Sequence, residues 1–197
     1  MSEEQKEWFG DKKHIPIFPT NVFEFDVNDW EELNKSVEEA LSEIKNPSSL
    51  PNWSSQNNLH TVEGFSGLRE RSLEAVRYVM EFLSFQFKEV SLTSLTAHTV
   101  TEADRSPPEV FSNNILSGVY CLKSGGGKVL LNDPRPQAWA IRPNVSEVSV
   151  FNTDIFVMEL NEGKMLVLPS WVQRFSVFPQ GETSENVYLT WTAMIQS

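Results

Sequence analysis

The side chains with most capacity for metal ligation or nucleophilic chemistry are three histidines, His14, His60 and His98, and one cysteine, Cys121. Their spacing serves neither purpose well. A metal site built on imidazole wants a pair such as H-x-H or H-x-D, which sets two donors side by side. The chain has no such pair. His98 lies in a β-like run, where Asp104 or Glu109 across a loop could join it as a displaced metal ligand. The plainer reading is a strand histidine, half-buried or hydrogen-bonded. His60 is expected to orient its loop, and His14, beside Lys12 and Lys13, reads as surface. Cys121 sits in an apolar run, distant in sequence from every histidine. It reads as a buried structural thiol, and a single cysteine cannot form an internal disulfide.

Other polar clusters have structural readings beside chemical ones. Ser124 to Lys128 (SGGGK) invites comparison with a phosphate loop. The spacing is wrong for G-x-x-x-x-G-K-[ST], and Val-Leu-Leu continues as a strand where a helix is needed. A hairpin turn is expected there. Asp133-Pro134-Arg135 has the chemistry of a hairpin exit, with Asp accepting local backbone bonds and Pro fixing the turn. Gln173 and Arg174 adjoin in a strand, so only one of them can face inward. Trp139, Trp171, Trp191 and Tyr188 could form an aromatic platform for a sugar or base, although large aromatics in a β-rich chain more often pack a core.

The elements that must position these residues follow from apolar spacing. Residues 1–13 read as a polar tail. Alternation over 15–25 (IPIFPTNVFEF) predicts a strand. A helix is expected over 28–45, with Asn28 and Glu31 as a capping box and Trp30, Leu33, Val37, Leu41 and Ile44 on one face. A loop with an ordered patch at Trp53 leads to a second helix over 66–85, whose stripe includes Leu68, Ser72, Val76, Val79 and Met80. The rest reads as strands over 90–100, 115–123, 128–132, 138–142, 154–160, 164–168, 172–178 and 187–195. Many short strands after two helices predict a jelly roll in one domain over 15–197.

Composition narrows the partners. The 197 residues carry a net charge of −11, with 40% hydrophobic residues, 13 Phe and 6 Trp. Such a chain is expected to fold. No basic stripe is visible, which argues against nucleic acid and against an anionic membrane surface. The opening MSEEQKEWFGDKK lacks the apolar core of a secretory leader. No apolar stretch approaches the ~20 residues of a membrane helix. The expectation is a soluble cytoplasmic protein, with an unknown small molecule or protein as partner and homo-oligomerisation left open.

Five segments, in order, resemble the 2-oxoglutarate/Fe(II)-dependent dioxygenases of the double-stranded β-helix fold. The group most like them is a small-domain type of marine phages and bacteria. The segments are Ile17 to Val22 (IFPTNV), Trp53 to His60 (WSSQNNLH), Leu116 to Tyr120 (LSGVY), Asn132 to Arg135 (NDPR) and Gly163 to Val172 (GKMLVLPSWV). The resemblance implies a mainly β (α+β), cupin-like jelly roll with two N-terminal helices packed outside. It also implies a 2-His-1-carboxylate iron site with open positions for 2-oxoglutarate and dioxygen.

The residues at the implied positions do not carry that chemistry. Counting back from Ser117 puts Glu109 and Phe111 at the H-x-H pair. Counting on from Trp171 puts Arg174 at the distal histidine, and Asn186 takes the place of the arginine that holds the co-substrate. Phe cannot ligate iron, Arg repels a dication, and Asn brings no charge. No histidine lies between His98 and the C-terminus. The resemblance also places Tyr120, Asp133, Arg135 and Trp171, with His98, as possible pocket residues. Three functions stay open. The first is a non-catalytic homologue acting as a binding or assembly module, with no metal or cofactor and with a Glu109–Arg174 ion pair in place of iron. The second is an active hydroxylase that uses Fe(II) and 2-oxoglutarate through atypical ligands such as His98, Asp104 and Glu109. The third is a structural or virion-associated protein with a closed pocket, located in the host cytoplasm if phage-encoded.

Overall fold

The computed structural model describes residues 13–44, 52–101, 104–135, 137, 140–141, 143–179 and 185–196. Two helices lead into two packed antiparallel sheets. In chain order the elements are β1 (Phe23–Asp26), α1 (Trp30–Ile44), β2 (Asn52–Ser54), α2 (Ser66–Phe82), β3 (Glu89–Val100), β4 (Asp104–Arg105), β5 (Leu116–Lys123), β6 (Lys128–Asn132), β7 (Ile155–Glu159), β8 (Lys164–Pro169), β9 (Arg174–Phe178) and β10 (Asn186–Gln196). One sheet has the order β1-β8-β5-β10-β3-β2 and the other the order β4-β9-β6-β7. This two-sheet arrangement is a jelly roll, or double-stranded β-helix.

Strand alternation divides the core into two layers. Along β10, Val187, Leu189, Trp191 and Ala193 join Leu33, Val37, Leu68, Val76 and Val79 of the helices in one apolar cluster. Tyr188 faces the other way, into a cluster with Val119, Val129, Leu166, Leu168 and Phe178 between the sheets. Strand β5 lies near the middle of the six-stranded sheet and is covered on both faces. Seven of its eight residues are buried, which is why its sequence reads as a near-continuous apolar run. Its Gly118 leaves room for Trp191, since a Cβ there would land inside the indole ring.

Several expected boundaries move. The strand expected over 15–25 survives only as β1. Pro16 and Pro19 donate no backbone hydrogen bond, Phe18 has φ +52°, and Ile15, Ile17 and Phe18 are exposed. Asn28 does not cap α1. The helix begins at Trp30, and Asp29 before it pairs with Arg71 from α2. The helix expected over 66–85 ends at Phe82. The patch at Trp53 is the edge strand β2, paired with β3, and β4 is a two-residue strand that the sequence did not suggest. Of the strand expected over 138–142, residues 138, 139 and 142 lie outside the described residues, and Ala140 and Ile141 form a bend. Residues 1–12 of the expected tail and residue 45 of the first helix also lie outside them. No helix among the described residues is long and apolar enough to cross a membrane.

Candidate functional site: a cleft around Arg174

A cleft of about 310 Å³ opens between the two sheets, walled by β2, β3 and β10 on one side and by β4 and β9 on the other. His98, Tyr188, Thr190, Arg174, Ser176 and Glu109 line it. The register that brings them together is set by the pairing of β10 with β3, which places Tyr188 opposite His98. On β9, Arg174, Ser176 and Phe178 share the inward face, and Gln173 is turned away to accept a hydrogen bond from the Asn132 side chain at 2.5 Å.

Arg174 is 3% exposed. Its Nη1 donates to the carbonyl of Gly118 at 3.2 Å, and its guanidinium carbon lies 4.6 Å from the centre of the Phe111 ring. Its Nη2 is buried and makes no hydrogen bond to any described residue. Burial lowers its pKa to about 10, and the nearby Glu109 opposes that shift. The group is therefore still charged at neutral pH. Glu109 is bound to Arg174 through the backbone, with N–H···O bonds of 2.8 and 3.1 Å in the two directions. The expected ion pair between their side chains is not made. Glu109 is half-buried, and no contact within ion-pair distance joins its carboxylate to the guanidinium. Glu109 and Phe111 thus meet Arg174, which lies far from them in the chain.

His98 forms the opposite wall. Its Nδ1 is 2.8 Å from Ser54 Oγ, and its Nε2 is 3.0 Å from Thr190 Oγ1. The ring stacks on Tyr188 at 4.8 Å and 19°, and Tyr188 stacks in turn on Phe178 at 5.2 Å and 25°. Burial, then the charge on Arg174, lowers the His98 pKa to about 4. Burial, then Glu109, pushes Tyr188 up to about 12. At neutral pH this wall is an uncharged aromatic surface.

The remaining expected site residues lie elsewhere. Tyr120 is not in the cleft. It faces the helices, where its hydroxyl donates to Asn34 Oδ1 at 2.6 Å and Asn34 Nδ2 donates to the Leu122 carbonyl at 2.7 Å. Asn186 does not line the cleft. Its Oδ1 accepts from the N–H groups of Gly125 and Gly127 at 2.7 and 3.1 Å and so pins the turn that carries the chain from β5 in one sheet to β6 in the other. Asp133 and Arg135 form a local pair at 2.8 and 2.9 Å, with Arg135 exposed. Trp171 is 55% exposed and lies outside the cleft. The aromatic platform is not assembled either: Trp191 is fully buried in the helix-side core, Tyr188 lines the cleft, and Trp139 lies outside the described residues. His60 has a buried Nδ1 without a hydrogen bond to a described residue, and its carbonyl accepts from Arg69 at 3.1 Å. Cys121 is buried, and that burial raises its thiol pKa to about 12. Sequence reasoning missed Ser54, Ser176 and Thr190 as cleft residues. The period-two pattern of β10 does place Thr190 on the same face as Tyr188, and that signal was available.

The donor set does not suit iron. A facial site needs three ligating side chains around one point. Here the positions implied by the resemblance supply a phenyl ring, a protonated guanidinium and a single carboxylate. His98 is no substitute, because both ring nitrogens are engaged by hydroxyls and the charge on nearby Arg174 repels a metal cation. Asp104 accepts from Asn52 Nδ2 at 3.0 Å. Among the described residues no group of three or more His, Cys, Asp or Glu side chains is placed to hold a metal ion.

No protein-family model matches the sequence, and no curated protein matches it. Solved structures do match the fold. HygX from Streptomyces hygroscopicus with iron bound superposes with a TM-score of 0.61 at 11% identity, over 89% of this chain and 82% of that one. A prolyl-4-hydroxylase from Pseudomonas putida gives 0.58 at 12% identity, over 90% and 94%. The epimerase SnoN, in complex with Fe3+, alpha-ketoglutarate and nogalamycin RO, gives 0.62 at 10% identity, over 89% and 79%. The chain therefore has the double-stranded β-helix fold of the 2-oxoglutarate/Fe(II) oxygenases.

Proposed function

We propose that this protein is a non-catalytic homologue of the 2-oxoglutarate/Fe(II) oxygenases that uses the cleft between its sheets as a binding module. The reading is carried by Arg174. A buried guanidinium stands where the resemblance implies the distal metal-ligating histidine, over the ring of Phe111 at the position of another ligand. A cation at that point repels a second cation, and a phenyl ring offers no lone pair. The co-substrate position supports the same reading, because Asn186 is occupied by the backbone of the turn between β5 and β6. Fold alone does not bring activity with it, and the side chains of the site weigh more.

The test is metal content. Purified protein is incubated with Fe(II) or Mn(II), with and without 2-oxoglutarate, desalted, and assayed for bound metal and for thermal stability. The expected result is no stoichiometric metal and no shift of the melting temperature on adding the 2-oxo acid. One metal per chain, or a melting temperature raised by 2-oxoglutarate only when metal is present, overturns the proposal.

A further inference from the structure

We infer that the cleft binds a small organic monocarboxylate anchored by the Arg174 guanidinium, an assignment that rests on the non-catalytic binding reading above. Within the protein that group is only partly satisfied. Among the described residues it has one hydrogen bond, to the Gly118 carbonyl, and one cation–π contact, to Phe111, and its buried Nη2 has no partner. Taking an ion out of water is costly even after relaxation. A cation–π contact, one neutral acceptor and the nearby Glu109 return part of that cost, and Nη2 is left for an anion to accept from.

The charge and shape of the cleft select among anions. Four charged side chains line the cleft, Arg105 and Arg174 against Asp104 and Glu109, and the two carboxylates oppose a dianion such as phosphate more strongly than a monoanion. His98 and Tyr188 line the cleft with their rings stacked on one another, and the His98 nitrogens are already engaged by Ser54 and Thr190. This wall favours an apolar body over further polar groups. A cleft of about 310 Å³ is larger than acetate needs and admits a ring or a short chain.

The full chain is titrated with sodium benzoate, sodium acetate and inorganic phosphate at matched ionic strength. Calorimetry and the arginine Nε–Hε NMR resonances are the readouts. Saturable binding of benzoate, weaker binding of acetate and displacement of the Arg174 resonance are expected. Arg174→Met, checked for folding by circular dichroism, is expected to weaken benzoate by about tenfold or more. Unchanged affinity in that variant, a preference for phosphate, or no response to either carboxylate overturns the inference. If Arg174→Met does not fold, the wild-type Arg174 resonance decides: an unmoved signal at saturating benzoate is equally fatal. The metal assay above separates the two levels. A metal-free chain that ignores carboxylates sinks this inference alone, and a chain with stoichiometric metal sinks the reading beneath it.

Discussion

Glu109 and Arg174 face each other across an antiparallel bridge, joined by two backbone hydrogen bonds of 2.8 and 3.1 Å, with Phe111 lying against the guanidinium. Directly opposed residues in such a pair have Cα atoms about 5.5 Å apart, within reach of a shared ion. The double variant Phe111→His/Arg174→His should therefore place two imidazoles and the Glu109 carboxylate around one point, the donor set of a facial triad. Co(II) absorption is expected to show a bound, ligand-field-split metal in the double variant and only aqueous cobalt in the wild type. Identical spectra from both proteins mean that the three positions do not converge.

Arg174 is also a test of what the site is for. A buried, incompletely paired charge is poor material for stability, and well-packed apolar replacements of buried ions are often neutral or stabilising. Arg174→Met is thus expected to unfold in urea at the same midpoint as the wild type or a higher one, with the cost of the abandoned Gly118 carbonyl, about 1–3 kcal/mol, offset by the removed desolvation. A loss above about 3 kcal/mol would assign Arg174 to the framework and not to ligand binding.

Which parts of this arrangement were legible beforehand follows from what each signal reports. Helical spacing in Leu33, Val37 and Leu41 and in Leu68, Val76 and Val79 identified both buried faces, because that pattern is local. The apolar runs of β5 and β8 identify the central strands for the same reason. The SGGGK turn suggests a hairpin, but it carries the chain from β5 in one sheet to β6 in the other, and these two strands do not pair. The sites of failure are those where a partner distant in the chain decides. Asn186 takes the place of the co-substrate arginine in the sequence, and only the fold brings the Gly125 and Gly127 amides to its oxygen. Tyr120 looked like a pocket residue, but the pleat points it at Asn34 of the helix. The Ser54–His98–Thr190 chain joins three strands, and no single window of sequence contains it.

His98 gives the protein a defined pH response. Its pKa in the fold, about 4, lies below the ordinary value of 6.5 because the buried ring resists protonation. Between these values the unfolded chain binds a proton that the folded chain does not, so stability rises with pH across that window and falls as pH drops through it. The linkage amounts to about 2 kcal/mol between pH 7 and pH 5. Urea midpoints at the two pH values should differ by that amount more in the wild type than in His98→Gln. Equal slopes in the two proteins would show that His98 does not titrate as its burial requires.

Asn186→Ala separates framework from site. The substitution removes the Asn186 oxygen that the buried Gly127 amide donates to at the β5–β6 turn, and the loss of such an acceptor costs about 1–3 kcal/mol. A loss of that size in the urea midpoint is expected. Asn186 is not among the residues that line the cleft, so benzoate affinity measured below the unfolding transition should stay within about twofold of the wild type. If affinity collapses while the fold is retained, the position has kept a ligand-facing role that its hydrogen bonds conceal, and Arg174 is not the sole anchor.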